Sequence, residues 1–182
     1  MMNNEIDNIA IPILNEVSKE AQNEWLDENS KYKLYRNLQI DKRGSFGERF
    51  FAQSLSSIYF RRLKLEYNDG DQGDWDLKFN NIKFEVKTSS IDINKKFQNE
   101  GIKPDGNYDG ILFLGVTPNN LYIKFILKND IPFNTLHDRK KRGTGSGVKW
   151  DFKEKDMIKI TNLEDIKTEF EKHFASLLKP IK

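Results

Sequence analysis

Residues 73–87 (GDWDLKFNNIKFEVK) constrain the chain more than any other stretch. Leu77, Phe79, Ile82, Phe84 and Val86 alternate with Asp76, Lys78, Lys83, Glu85 and Lys87. A period of two sorts side chains onto two faces only in an extended strand. Asn80-Asn81 interrupts the pattern and predicts a two-residue turn, so the segment reads as a β-hairpin. In that register Phe79 stands opposite Ile82, Asp76 opposite Glu85, and Asp74 opposite Lys87. One face is apolar and must be covered. The other collects two or three carboxylates and a lysine. That set suits a hard divalent cation held beside a positioned water. Cross-strand acid and lysine pairs also occur on surface hairpins that have no such role.

The remaining elements are arranged around this hairpin. A helix is predicted from Pro12 to about Ser30, with Leu14, Val17, Ala21 and Trp25 on its apolar stripe. A second is predicted from about Ser45 to Tyr59 on Phe51, Ala52, Leu55, Ile58 and Tyr59. Glu48 precedes Ala52, Leu55 and Tyr59 at helical spacing, so it faces the buried side and needs a cation, a donor or a metal-bound water. An ion pair with Arg49 or a helix-dipole role would also account for it. Arg62 to Tyr67 alternates as a strand. Lys95 to Ile102 is read as a short helix closed by Gly101. Ile111 to Val116 is a continuous apolar run suited to a strand buried on both faces. Leu121 to Leu127, residues 150–152 and residues 157–160 are further extended candidates. Asn162 caps a last helix whose stripe is Leu163, Ile166, Phe170, Phe174 and Leu177. No repeat or linker divides the 182 residues, so a single domain over 1–182 is expected.

Composition narrows the function classes. No apolar run approaches the ~18 residues of a membrane span, and no membrane role is expected. The polar, acidic residues 1–5 do not resemble a secretory signal. Cysteine is absent, which removes disulfides and thiolate metal sites and fits a reducing, cytoplasmic setting. His137 and His173 are too far apart in sequence to suggest a histidine metal site. Net charge is only +2, but charge is unevenly spread. Residues 66–76 hold five acids and no base, and residues 139–149 hold five bases and no acid. An acidic focus suits a cation and a basic segment suits a phosphate backbone, although either alone also reads as solvated surface. Arg139, Lys140, Lys141, Arg142 and Lys149, with Lys95, Lys96 and Gln98 just past the hairpin, are the candidate DNA contacts. The glycine-rich run 143–147 lacks the Gly-Lys-Ser/Thr ending of a phosphate-binding loop, so no nucleotide cofactor is expected.

Asp76 followed by Glu85-Val86-Lys87, with eight residues between (77–84), resembles the PD-(D/E)XK nuclease superfamily and, within it, the type II restriction endonucleases. The motif's usual proline is replaced by Trp75. This leaves Asp74 or Asp76 as the first acid, with Asp76 favoured by the simplest register. The resemblance spans roughly positions 44–128. It implies an α/β fold with a restriction-endonuclease-like αβββαβ core, a central mixed sheet flanked by helices, and extra N- and C-terminal helices. It implies Mg²⁺-dependent, site-specific hydrolysis of double-stranded DNA, with Mn²⁺ as a substitute, by a homodimer in a prokaryotic cytoplasm. Asp76 and Glu85 would then be ligands together with the Val86 carbonyl, Asp74 a reserve ligand, and Lys87 the group that orients water. Glu48, in Gly47-Glu48-Arg49-Phe50-Phe51, would be the helix glutamate facing the site. A structure-specific or repair nuclease, a nickase, or a non-cleaving DNA-binding subunit would share this core.

Overall fold

The computed structural model describes residues 12–13, 25, 27–59, 65–67, 73, 75–79, 81–138 and 146–177. Its elements are α1 (Lys33–Arg36), α2 (Ile40–Ile58), β1 (Leu65–Tyr67), β2 (Leu77–Phe79), β3 (Ile82–Ser90), β4 (Lys96–Ile102), β5 (Gly110–Val116), β6 (Leu121–Leu127), β7 (His137–Asp138), β8 (Val148–Lys153), β9 (Ile158–Ile160) and α3 (Leu163–Phe174). Two sheets form, one of six strands in the order β1-β2-β3-β5-β6-β9 and one of three in the order β4-β8-β7. In the larger sheet β3 and β5 run parallel and their neighbours are antiparallel, which makes it mixed.

The molecule has three layers, and strand alternation explains them. Phe84 and Val86 share a face with Leu112 and Phe125 through the strand registers. That face is covered by helices: Phe170 and Phe174 of α3 pack on Phe84 and Phe125, and Phe51 of α2 packs on Phe125. Glu85 and Lys87 share the opposite face with Ile111 and Phe113. Here the three-stranded sheet lies on top, with Trp150 and Phe152 against Phe113 and Phe97 against Tyr122. Strand β5 is thus buried on both faces, as its continuous apolar run requires.

The hairpin register is the predicted one, with Phe79 opposite Ile82, Lys78 opposite Lys83 and Leu77 opposite Phe84. The last helix also forms as read: Asn162 accepts from the Asp165 backbone N–H, and Ile166, Phe170 and Phe174 are buried. Strands at 65–67, 121–127, 148–153 and 158–160 match their readings, with residues 62–64 outside the described set.

The short helix expected at 95–102 is a strand, and this is the main correction. Phe97, Asn99 and Ile102 are buried, whereas Gln98 and Glu100 face out. Asn99 supplies a buried position with a polar residue, and a bulge between Asn99 and Ile102 shifts the phase, so the period of two is masked. Gly101 takes φ +69° at the bulge. Between β3 and β5 there is therefore a strand of a second sheet in place of the second helix of an αβββαβ order. Helix α2 begins five residues before the predicted Ser45. Its first turn is exposed and shows no apolar stripe; Arg43 ties it down instead, donating to the carbonyls of Leu38 (3.0 Å) and Arg36 (2.9 Å). Pro12, Ile13 and Trp25 are helical, and most of the predicted 12–30 helix lies outside the described residues. Asp27 to Ser30 form a turn, so that helix ends sooner than read.

Candidate active site

Strand β2 is only three residues long, and the site begins where it stops. The last pair of the register is Leu77 and Phe84, and Asp76 still donates its backbone N–H to the Phe84 carbonyl at 2.9 Å. Its carboxylate then takes the next rung: Oδ2 accepts from the Val86 N–H at 2.6 Å. A side chain has replaced a strand. Because the N–H and C=O of one strand residue point the same way, the Val86 carbonyl faces the side that Asp76 occupies.

Glu85 and Lys87 project from β3 two residues apart, hence from one face. Lys87 Nζ lies 2.6 Å from Glu85 Oε1, and their side chains are 21% and 17% exposed. Both carboxyls are held above their ordinary range, chiefly because burial disfavours the charged form. For Asp76 the Val86 N–H and Lys87 act in the opposite direction, while the charge of Glu48 adds to the rise. For Glu85 the lowering influences are Lys87 and Lys103, and Asp76 raises it further. The charges of Lys87 and of the half-buried Glu48 thus act on Asp76, and those of Lys87, Asp76 and Lys103 act on Glu85.

Whether a cation would fit can be judged from the donors. Among the described residues no three or more Asp, Glu, His or Cys side chains are grouped closely enough to hold a metal ion. The close oxygens are the Asp76 and Glu85 carboxylates and the Val86 carbonyl. Mg²⁺ is commonly held by one or two carboxylates, with water and phosphate oxygens filling the rest. Two buried carboxyls that resist ionisation alone would also gain from a cation. The donor set fits. Asp74, the reserve ligand, lies outside the described residues.

Lys103 was not singled out from the sequence. It sits just past β4, and only the second sheet brings it near Glu85. Read as a helix, residues 95–102 gave no reason to look there, because a polar residue at the buried position 99 masks the period of two. Its backbone is anchored, the carbonyl accepting from Tyr108 Oη at 2.6 Å and from the Gly106 N–H at 3.2 Å. A cleft of about 700 Å³ opens beside it, bordered by Asp105, Phe133, Asp138 and Gly147.

The candidate DNA contacts divide. Arg139, Lys140, Lys141 and Arg142 lie outside the described residues. Gly147, just before β8, lies close to the end of β4: a Cβ there would fall 2.6 Å from the Ile102 carbonyl oxygen. Gln98 and Lys149 meet on the outer face of the smaller sheet, Lys149 Nζ donating to Gln98 Oε1 at 2.8 Å. Each also has an acid partner, Asp92 for Gln98 at 2.5 Å and Asp151 for Lys149 at 3.5 Å. Lys96 is on the same strand as Gln98, and Lys95 is exposed at a turn with φ +57°. His173 pairs with the buried Glu169 at 3.0 Å, away from this site.

No helix of the described residues is long and apolar enough to cross a membrane. No protein-family profile and no curated protein matches the chain. A solved structure described as a bacterial homing endonuclease is similar over 64% of this chain and 76% of that chain, with 13% sequence identity and a TM-score of 0.41.

Proposed function

We propose that the protein is a Mg²⁺-dependent endonuclease that hydrolyses phosphodiester bonds of double-stranded DNA at specific sites, in the manner of a type II restriction enzyme. The observation that carries this reading is the Glu85–Lys87 pair on one face of β3 beside Asp76, whose carboxylate takes the Val86 N–H at the open end of β2, with both carboxyls pushed up by burial. Their order and spacing in the sequence resemble the PD-(D/E)XK pattern.

Asp76, Glu85 and the Val86 carbonyl would hold Mg²⁺, with Mn²⁺ as a substitute and Asp74 in reserve. The ion, when bound, neutralises phosphate charge and makes a nearby water a better nucleophile. Asp76 is already oriented for this by the Val86 N–H. Lys87 now shares its ammonium with Glu85. Once Glu85 is engaged elsewhere, Lys87 is free to orient the attacking water and offset charge on the phosphate. Glu48 would support a second ion or an ordered water. The water oxygen bonds to phosphorus, the bond from phosphorus to the 3′ oxygen breaks, and that oxygen leaves as a hydroxyl once protonated. The products are a 5′ phosphate and a 3′ hydroxyl. The described residues of each chain carry one such site, so cutting both strands would take two copies, as in a homodimer. Arg139, Lys140, Lys141, Arg142, Lys149, Lys95, Lys96 and Gln98 are the proposed DNA contacts, with Lys103 added.

The test is incubation of purified protein with unmethylated phage DNA and Mg²⁺, followed by sequencing of the fragment ends. Discrete fragments that vanish with Glu85→Gln, while Ca²⁺-supported DNA binding persists, are expected. Cleavage confined to branched or damaged DNA would move the assignment to a structure-specific nuclease. Near-normal cutting by the Glu85→Gln variant would remove the chemistry from this site.

A further inference from the structure

Strands β4 and β8 turn one face to the core and the other outward. Phe97 and Phe152 are register partners and both are buried, so their neighbours Lys96, Gln98, Asp151 and Lys153 take the outer face. Lys96 stands directly opposite Lys153, and Gln98 directly opposite Asp151. Like charges set opposite one another destabilise a sheet, and neither ammonium has a carboxylate partner among the described residues. An anion held between them turns that repulsion into attraction. About 7 Å along the strands the face changes character. Gln98 is exposed, yet its amide is held at both ends: Nε2 donates to Asp92 Oδ2 at 2.5 Å, and Oε1 accepts from Lys149 Nζ at 2.8 Å. Asp92 is itself fixed by the Lys96 N–H at 2.8 Å, and Lys149 lies 3.5 Å from Asp151. An amide has two donor hydrogens and two acceptor lone pairs. These bonds take one of each and leave one of each. The two acids repel a phosphate at this point, whereas the amino groups of base edges suit them.

We propose that this outer face lies in the major groove of DNA, with Gln98 reading an adenine and the Lys96–Lys153 pair holding a phosphate beside it. The proposal rests on the reading of the protein as a DNA endonuclease; it separates a base contact from phosphate contacts and adds Lys153 to the latter. The groove, about 12 Å wide, admits an antiparallel ribbon, and adenine shows there an N7 acceptor and an N6 donor, the complement of what Gln98 has left. Holding an exposed glutamine in one place costs side-chain entropy that surface contacts return poorly. A base reader gains from it, because the amide is already set when DNA arrives. Asp92 and Lys149 are the positioning residues. The next residue, Asn99, accepts from Ser89 Oγ at 3.2 Å, so β4 is tied to β3 two residues past Lys87.

The experiment selects duplexes from a randomised DNA pool with the full chain in Ca²⁺, then measures binding to the selected site. The wild type should enrich a site with an adenine that Gln98→Ala no longer requires, losing about 5- to 150-fold in discrimination at that position alone. Replacing that adenine with 7-deazaadenine, which lacks the N7 acceptor, should weaken the wild type and leave Gln98→Ala unaffected. Gln98→Glu accepts but cannot donate, and should move the preference at that position to cytosine, whose N4 amino group donates. A merely structural glutamine would not do this. The Lys96→Ala/Lys153→Ala pair should weaken binding to every sequence alike and lower the slope of log K against log salt by about 0.9, the contribution of one phosphate. An unchanged selected site in Gln98→Ala, an equal loss on every sequence, a further loss of that variant on 7-deazaadenine, or an unchanged salt slope in the lysine pair would each overturn the proposal. A wild-type chain that reads adenine through Gln98 but cuts nothing in Mg²⁺ overturns only the cleavage reading. One that cuts discrete fragments at a site indifferent to Gln98 overturns only this proposal, and one that binds no DNA overturns both.

Discussion

Replacing Lys87 with methionine keeps the length of the side chain and deletes its charge. The wild-type pair is short, 2.6 Å, and both partners are mostly covered, at 21% and 17% exposure. Exposed ion pairs contribute about 0.2–1 kcal/mol, whereas breaking a fully buried pair costs about 3–5 kcal/mol. This pair lies between those limits, so the variant should lose about 2 kcal/mol in the absence of cation. For a chain of this size that is a fall in Tm of about 4–8 °C. The pH dependence has a definite sign. Burial already holds the Glu85 carboxyl above its ordinary value, and Lys87 is the main influence opposing that rise. Without Lys87 it rises further. An acid with a raised folded-state pKa binds protons more readily when folded, so stability is lost as pH rises through that pKa. The deficit of the variant should thus be full in alkaline buffer, should shrink as pH falls through the raised folded-state values, and should be gone in the ordinary glutamate range, where Glu85 is already protonated in both folded proteins. Thermal melts in EDTA from alkaline buffer down to that range measure it. Saturating Mg²⁺ should narrow the gap, since a bound cation replaces the missing charge, and adds about 2.7 kcal/mol at a hundredfold excess over Kd. Cleavage should fall by about 100- to 1,000-fold. A variant that melts within about 1 °C of the wild type in alkaline EDTA would show that the ammonium does not hold Glu85 as the geometry states.

Two other residues test the surroundings of the site. Lys103→Ala should weaken DNA binding and reduce the slope of log K against log salt by about 0.9, the contribution of one phosphate contact; an unchanged slope in filter-binding titrations would exclude Lys103 from the DNA interface. Asn99→Ala should destabilise the chain by about 1–3 kcal/mol in urea melts, because its buried amide accepts from Ser89 Oγ (3.2 Å) and donates to the carbonyls of Phe97 and Trp150 (both 3.3 Å).

What the sequence revealed depends on which signals were local. The hairpin was legible because alternation, turn residues and register lie within residues 73–87, and a one-residue slip would turn Phe84 outward and Glu85 inward. Helix α3 was legible because its cap and its stripe, Asn162 through Phe174, are contiguous. The start of α2 was not, since Arg43 fixes it by bonds to carbonyls that no apolar pattern announces. Strand β4 was misread because Asn99 breaks its alternation, and two of its three hydrogen bonds go to Ser89 on β3 and Trp150 on β8, which are remote in sequence. Lys103 was missed for the same reason: its charge acts on Glu85, eighteen residues back, from the end of β4. Asp76 and Glu85, by contrast, belong to one hairpin, and Asp76 reaches β3 at the Val86 N–H within it.

That misread strand also determines what kind of site the hairpin becomes. A two-stranded ribbon with acids and lysines on its outer face is an ordinary solvated surface, and its ion pairs contribute little. Here the outer face does not remain outer. Phe97 of β4 sits over Gly115, so close that a Cβ there would fall 2.8 Å from its ring, and Trp150 and Phe152 of β8 close over Phe113, the register partner of Lys87. The smaller sheet thereby takes Glu85 and Lys87 largely out of water without sealing them. It does so beside the point where β2 ends, which leaves Asp76 and the Val86 backbone at an edge that a ligand can approach. Burial raises the cost of the two negative charges, and the edge gives access to whatever neutralises them. A helix at 95–102 would have had to present one apolar stripe to the same face. The strand instead places Asn99 against Ser89 and carries the chain on to Lys103, so polar groups continue along the sheet face on both sides of the carboxylates.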